Sequence, residues 1–165
     1  MDPLDRLYAD VDEGAGRLHA QHAASLACAR GCADCCVDGI TVFEVEAARI
    51  RAQHGALLAA GEPHPEGACA FLDGERACRI YADRPYVCRT QGLPLRWLDE
   101  LEGQTVEYRD VCPLNEAVGL EGLPATACWS LGPVEARLQA LQRGASGDLR
   151  RVPLRALFAG ADGSE

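Results

Sequence analysis

The chain has 165 residues and a mass of 17.6 kDa, a size that suits one domain with a single core. Its 16 basic residues, all Arg, face 25 Asp and Glu, and the net charge of -9 disfavours binding to a nucleic-acid backbone. No apolar run approaches the roughly 20 residues that cross a bilayer, and the N-terminus lacks the basic-then-apolar order of a secretory signal, so we expect a soluble cytoplasmic protein with no nucleic-acid and no membrane partner.

The first half of the chain predicts two helices. Over residues 3 to about 27, apolar side chains recur at steps of three and four, which is typical of an amphipathic helix, although two glycines weaken it. A second helix is predicted to begin at Thr41, because Thr41 and Glu44 form an S/T-x-x-E capping box. Gly61 is expected to end this helix.

A loop and a hairpin are predicted next. Residues 61–67, rich in Gly and Pro, indicate a surface loop. Two short apolar runs then flank Asp73-Gly74, a strong signal for a two-residue hairpin turn. With that turn Cys69 would lie opposite Cys78 across the ladder, whereas a four-residue loop would break this pairing.

The remaining elements are short, apart from one more helix. Asp83-Arg84-Pro85 is expected to cap and begin a short helix that carries Cys88, since proline is tolerated in a first helical turn. The other predicted elements are extended segments near residues 93–98 and 104–109, a helix over residues 133–143, a linker over residues 144–148 and a mobile tail at the final residues.

Nine cysteines dominate the chemistry of the chain. In a reducing compartment, clustered thiols indicate metal ligands or redox groups before disulfides. In the densest group, Cys28-x3-Cys32-x2-Cys35-Cys36, one short loop can wrap several thiolates around a centre. The adjacent side chains of Cys35 and Cys36 are expected to diverge, and so to serve two metals, or one metal and a neighbouring site.

Eight of the thiols form a candidate ligand set, enough for two tetrahedral sites of four thiolates or for one larger cluster with bridging thiolates. These candidate metal ligands are Cys28, Cys32, Cys35, Cys36, Cys69, Cys78, Cys88 and Cys112. Cys128, beside Trp129 in an apolar context, is the candidate for a buried thiol outside the site. His64, between two prolines near Cys69, is the one histidine considered as a further ligand.

An ordered series of motifs runs through the middle of the chain. It consists of Cys28 to Cys36, then Cys69, Phe71, Leu72, Cys78, Ile80 and Tyr81, then Arg84-Pro85 with Cys88, then Cys112-Pro113-Leu114-Asn115. Over about residues 28–115 this series resembles the small bacterial cysteine-cluster proteins described as zinc- or iron-chelating. The resemblance implies metal binding by these cysteines. A flagellin lysine methylase has a similar cysteine domain, which is associated with an iron–sulfur cluster. Iron is therefore an alternative to zinc as the bound metal.

Thiolate ligands suit zinc and iron alike, so spacing does not choose between the metals. We favour a protein that binds two or more zinc ions, which have a structural role. The alternative is an iron–sulfur protein that acts in redox chemistry or as an enzyme component. A thiol redox sensor is the third hypothesis. The Cys28-x3-Cys32-x2-Cys35 spacing also matches radical S-adenosylmethionine enzymes. Asp34, however, stands where that family usually has an aromatic residue, and the chain is short for its partial barrel.

No catalytic constellation stands out, since the chain has no phosphate-binding glycine loop, no H-E-x-x-H and no nucleophile elbow. The sequence therefore predicts a small, mostly helical α+β protein whose loops and one short β-hairpin are organised around a cysteine-bound metal centre. Residues 1–165 are expected to form a single domain, with the metal-binding core at about 28–115 and a C-terminal helix and mobile tail at 133–165.

Overall fold

The structure of the protein is a computed structural model that describes residues 2–158. Its helices and short sheets confirm the α+β class. The elements are α1 (Pro3–Gln21), β1 (Thr41–Phe43), α2 (Glu44–Ala60), α3 (Tyr86–Arg89), β2 (Leu95–Leu101), β3 (Gln104–Asp110), β4 (Trp129–Ser130), α4 (Leu131–Ser146) and β5 (Arg151–Pro153), with 3-10 helices at Tyr81–Asp83, Pro113–Val118, Ala125–Ala127 and Leu154–Leu157. No helix in this described part is both long enough and apolar enough to cross a membrane.

Contacts divide the chain into two compact units. Unit 1 consists of Met1–Ala29 and Arg89–Leu138, and unit 2 consists of Arg30–Cys88 and Gln139–Glu165. The single-domain organisation stays a prediction.

Helix α1 of unit 1 confirms the first predicted helix but ends at Gln21, six residues short of the expected end. Pro3 occupies its first turn, and the Asp2 carboxylate accepts a hydrogen bond from Leu4 N at 2.9 Å. His22 caps the other end, because its backbone N–H donates to the Leu18 carbonyl and its ring Nε2 donates to the carbonyl oxygen of Ala127 at 2.7 Å. The residue that ends α1 is therefore held by a partner 105 positions away in the sequence.

A small mixed sheet completes unit 1, with strand order β3-β2-β4. Strands β2 and β3 pair antiparallel and confirm the two predicted extended segments; β4 adds to β2 in parallel. In this register Trp97 lies opposite Tyr108, and their rings stack with centroids 5.7 Å apart. The ring of Trp129 in β4 packs on Gly14 of α1, where a Cβ atom would come within 2.8 Å of Cζ3. Gly14 therefore permits a close helix–ring contact.

The helix α2 in unit 2 begins three residues later than predicted. Residues 41–43 form strand β1, in which Thr41 pairs with Pro153 of β5. The predicted Thr41–Glu44 capping box is therefore wrong. The buried Glu46 reaches back instead, and its Oε2 accepts from Phe43 N at 3.3 Å. Gly61 follows the helix as predicted.

The C-terminal part of the chain is more regular than expected. Helix α4 confirms the last predicted helix but extends to Ser146, so the first three residues of the predicted linker are helical. Strand β5 and the 3-10 helix Leu154–Leu157, which the sequence analysis missed, pack into the core of unit 2. The predicted mobility of residues 159–165 lies outside the described residues.

Candidate metal centre

Six of the eight candidate ligands belong to unit 2. They are Cys32, Cys35, Cys36, Cys69, Cys78 and Cys88. Cys69 is buried, with 8% of its surface exposed, and the other five are half-buried. Cys69 is a member of the apolar core of unit 2, and Cys36 and Cys78 pack against that core. These three thiols therefore lie within or directly against the apolar interior of unit 2.

Cys35 and Cys36 form a hydrogen-bonded thiol pair. The thiol of Cys36 donates to the sulfur of Cys35, which lowers the pKa of Cys35 and raises the pKa of Cys36. The predicted divergence of these side chains is therefore wrong. A backbone hydrogen bond from Cys36 N to the carbonyl of the buried Ala33, at 2.9 Å, tightens the turn that carries the pair.

Cys69 and Cys78 occupy the same local arrangement. The sulfur of each accepts a hydrogen bond from the backbone N–H two residues later, from Phe71 and Ile80 respectively. Both apolar residues are almost fully buried, so each turn is anchored in the core beside its sulfur. Burial still raises the pKa of both thiols. Hydrogen bonds to sulfur are a general means by which proteins tune thiolate–metal centres.

The turn between these two cysteines differs from the predicted hairpin. Leu72 pairs with Cys78 in an isolated bridge, so five residues separate the paired positions instead of two. The Asp73 carboxylate explains the wider loop, since its Oδ1 accepts from Glu75 N at 2.9 Å and Ala77 N at 2.8 Å. The predicted cross-strand pairing of Cys69 with Cys78 is therefore wrong.

Cys88 lies on the short helix α3, as predicted. Pro85 directly precedes the helix and accepts a hydrogen bond from Cys88 N at 3.0 Å. Glu46 fixes the start of α3, because its Oε1 accepts from Tyr86 N at 2.8 Å. Burial is the main reason why the pKa of Cys88 is raised, and the neighbouring Cys69 and Cys78 raise it further. The role of Glu46 was not predicted from the sequence, because Glu44 completes a more obvious capping motif.

Three arginines add positive charge near these thiols: Arg155 acts on Cys69, Arg84 acts on Cys78, and Arg79 acts on both. Arg79 lowers the pKa of Cys69 and of Cys78 electrostatically, against the larger effect of burial. Its Nη2 atom also donates to the carbonyl oxygen of Ala70 at 2.7 Å. Its guanidinium group therefore stabilises both the loop and the negative charge that bound thiolates would carry.

The other three cysteines belong to unit 1. Cys28 is exposed, and Cys112 precedes the 3-10 helix Pro113–Val118. Cys128 is buried with 5% of its surface exposed, as predicted, and burial raises its pKa. Its place outside the metal site stays a prediction, as does the role of His64 as a ligand.

The donor set in unit 2 fits a soft metal. The charges of Cys35, Cys69 and Cys78 all act on Cys88, and those of Cys35, Cys69 and Cys88 act on Cys36, so five of these thiols are electrostatic neighbours. Thiolates are the preferred protein ligands of zinc and of iron–sulfur clusters. Within residues 2–158, however, no three His, Cys, Asp or Glu side chains already stand in a metal-holding arrangement.

An α+β fold with five neighbouring thiols, three of them in or against its apolar core, defines a cysteine-cluster protein. The chain belongs to the family whose model, CxxCxxCC, is described as a "Putative zinc- or iron-chelating domain"; the model matches residues 27–113, more than half of the sequence. The predicted family resemblance is thereby confirmed. No curated protein and no solved structure matches the chain.

Proposed function

We propose that the protein binds zinc through its clustered cysteine thiolates, with two or more ions that stabilise the fold. The observation that carries this proposal is the matched pair of turns at Cys69 and Cys78, in which buried apolar residues hold a backbone N–H against each sulfur. Such turns present thiolates with their charge already partly compensated. Cys28, Cys32, Cys35, Cys36, Cys88 and Cys112 complete the proposed ligand set.

The thiols of unit 2 are near one another, but their sulfur atoms do not yet converge on a single point. This arrangement is consistent with metal uptake. The direction in which a cysteine sulfur points depends on one torsion, χ1, which has three staggered positions. Neighbouring thiols can therefore turn toward an ion without a change of fold. A structural zinc site provides on the order of 10–16 kcal/mol of apparent binding free energy, whereas a whole domain is stable by about 5–15 kcal/mol.

An iron–sulfur cluster is the second candidate. The same observations favour it, because such clusters are also held by thiolates and their potentials depend on hydrogen bonds to sulfur and on burial. The two candidates differ in colour: iron–sulfur centres absorb visible light, and zinc thiolates do not.

Elemental analysis of anaerobically purified protein, together with a visible spectrum, tests the proposal. We expect zinc, no visible absorption, and loss of metal in Cys78→Ser. Cys128→Ser is the matched control, because it removes a thiol from unit 1 that is predicted to lie outside the site, and it should keep the wild-type metal content. Folded wild-type protein that holds less than about one metal ion per chain, with its thiols free, would contradict the proposal. Iron with visible absorption would select the second candidate.

A further inference from the structure

The side chain of Asn115 is completely buried in unit 1, with 0% of its surface exposed. Its Oδ1 accepts a hydrogen bond from Ala27 N at 2.7 Å, and its Nδ2 donates to the carbonyl oxygen of Gly92 at 2.6 Å. These backbone partners fix the orientation of the amide, since an N–H can only donate and a carbonyl can only accept. The other contact of Nδ2 is the Cys28 sulfur, at 3.1 Å.

A second feature holds the same sulfur. Gly92 has a φ of +90°, and a Cβ atom at this position would lie 2.6 Å from the Cys28 sulfur. Any larger residue would therefore combine backbone strain with a collision. The Cys28 sulfur lies against a backbone that only glycine can provide, and it faces an amide that can turn in no other direction.

The chemistry of the donor indicates which form of the sulfur this arrangement suits. A neutral thiol is a weak acceptor, whereas hydrogen bonds to an ionised acceptor are about twice as strong as neutral ones. A buried amide is costly unless its donors are satisfied. Metal-bound cysteines are thiolates, so this donor suits Cys28 as a metal ligand.

We infer that Asn115 is a positioning residue that holds the Cys28 sulfur in place as a metal ligand. The inference rests on the proposed function and adds to it a residue that is not itself a ligand. Outer hydrogen-bond partners of metal ligands typically contribute 10- to 100-fold in metal affinity. Asn115 lies in the 3-10 helix that follows Cys112, and its bond to Ala27 N joins this helix to the segment directly before Cys28.

A double-mutant cycle on the full chain tests this inference, with zinc as the metal probe. Zinc-loaded wild type, Asn115→Ala, Cys28→Ala and the double variant are mixed with a chromogenic chelator, and the rate of zinc release is measured. We expect Asn115→Ala to accelerate release at least about tenfold when Cys28 is present and to have no further effect when Cys28 is absent. An equal acceleration in both backgrounds would show a merely structural role and would overturn the inference.

Wild-type protein that takes up no zinc would overturn the proposed function, and the inference with it; zinc uptake that is indifferent to Cys28→Ala and Asn115→Ala would overturn the inference alone.

A pair of glycine variants keeps the test decisive if Asn115→Ala does not fold. Gly92→Ala pushes on the Cys28 sulfur, whereas Gly103→Ala carries similar strain at a φ of +78° with nothing within 4 Å of the new methyl group. Gly92→Ala should release zinc at least about tenfold faster than Gly103→Ala. Equal rates in the two variants would contradict the positioning of this sulfur.

Discussion

At the scale of single residues, two glycines of α1 have opposite roles although they are two positions apart. Gly16 is exposed, and an added Cβ atom would meet nothing within 4 Å. At Gly14 the same atom would lie 2.8 Å from the ring of Trp129. In sequence, both appear only as weak points of a helix, because the partner of Gly14 comes from a strand far along the chain.

Alanine substitution separates these roles. Gly16→Ala should raise the free energy of unfolding by about 0.5–1 kcal/mol, since alanine is the better helix former. Gly14→Ala gains the same propensity but overpacks against Trp129, which costs about 1–3 kcal/mol. We therefore expect it to be less stable than Gly16→Ala by about 1–3 kcal/mol in urea unfolding followed by circular dichroism. Equal stabilisation would mean that the ring moves aside freely.

Charged side chains also face one another across paired strands. In the β2–β3 hairpin, Arg96 lies directly opposite Arg109, and like charges opposite each other are unfavourable. Glu107 lies between them: its Oε2 is 2.7 Å from Arg96 Nη2, and its Oε1 is 2.6 Å from Arg109 Nε. Hydrogen bonds from Arg96 and then from Arg109 hold the pKa of Glu107 below its usual range.

This pairing predicts a pH dependence of stability. Because the pKa of Glu107 is lowered in the folded state, its contribution is complete above the unfolded pKa of about 4.3 and is lost as the pH falls through the lower folded value. Glu107→Gln should be less stable than the wild type at pH 7, and the difference should shrink below about pH 4. Urea unfolding at several pH values measures this.

The matched control for this prediction is Glu102→Gln. Glu102 is exposed in the turn of the same hairpin. Its substitution should leave the pH dependence of stability unchanged. A difference between Glu107→Gln and wild type that stays constant from pH 7 to pH 3 would rule out the carboxylate as its source.

Elements in which apolar residues recur at regular spacing over many residues were predictable from the sequence. Elements fixed by a single polar contact were not. The period of α1 and the Pro-led start of α3 follow from local preferences. The register around Asp73 depends on the Asp73 carboxylate, which competes for backbone N–H groups. For this reason the two-residue turn predicted from Asp73-Gly74 was wrong. In the candidate site, the clustered cysteines stand out in the sequence, but the contact between the Cys35 and Cys36 sulfurs does not.

At the scale of the whole molecule, residues far along the chain complete the core around the cysteines of unit 2. The ring of Phe158, 3% exposed, lies 5.0 Å from the ring of Phe71, centroid to centroid, and belongs to the same core cluster as Cys69. Strand β5 joins this core to β1, a pairing between three-residue strands. Such short strands carry no sequence periodicity, and for this reason the pairing was not predicted.

Removal of the Phe158 ring tests how far the stability of unit 2 depends on the segment that follows β5. Phe158→Ala should lower the free energy of unfolding by about 3–5 kcal/mol, as is typical when a buried aromatic ring is removed. The labelling of Cys69 by a maleimide in metal-free protein should become faster as well. Leu149→Ala, at an exposed position, is the control and should change neither quantity. Unchanged labelling of Cys69 in Phe158→Ala would show that its burial does not depend on this ring.

The pairing of β1 with β5 also has a consequence for biosynthesis. A ribosome that has just added Cys88 must still add 64 residues before it reaches Val152. At about 5–20 residues per second, this interval lasts roughly 3–13 s. During that time the nascent cysteines emerge before the last part of their apolar enclosure has been synthesised.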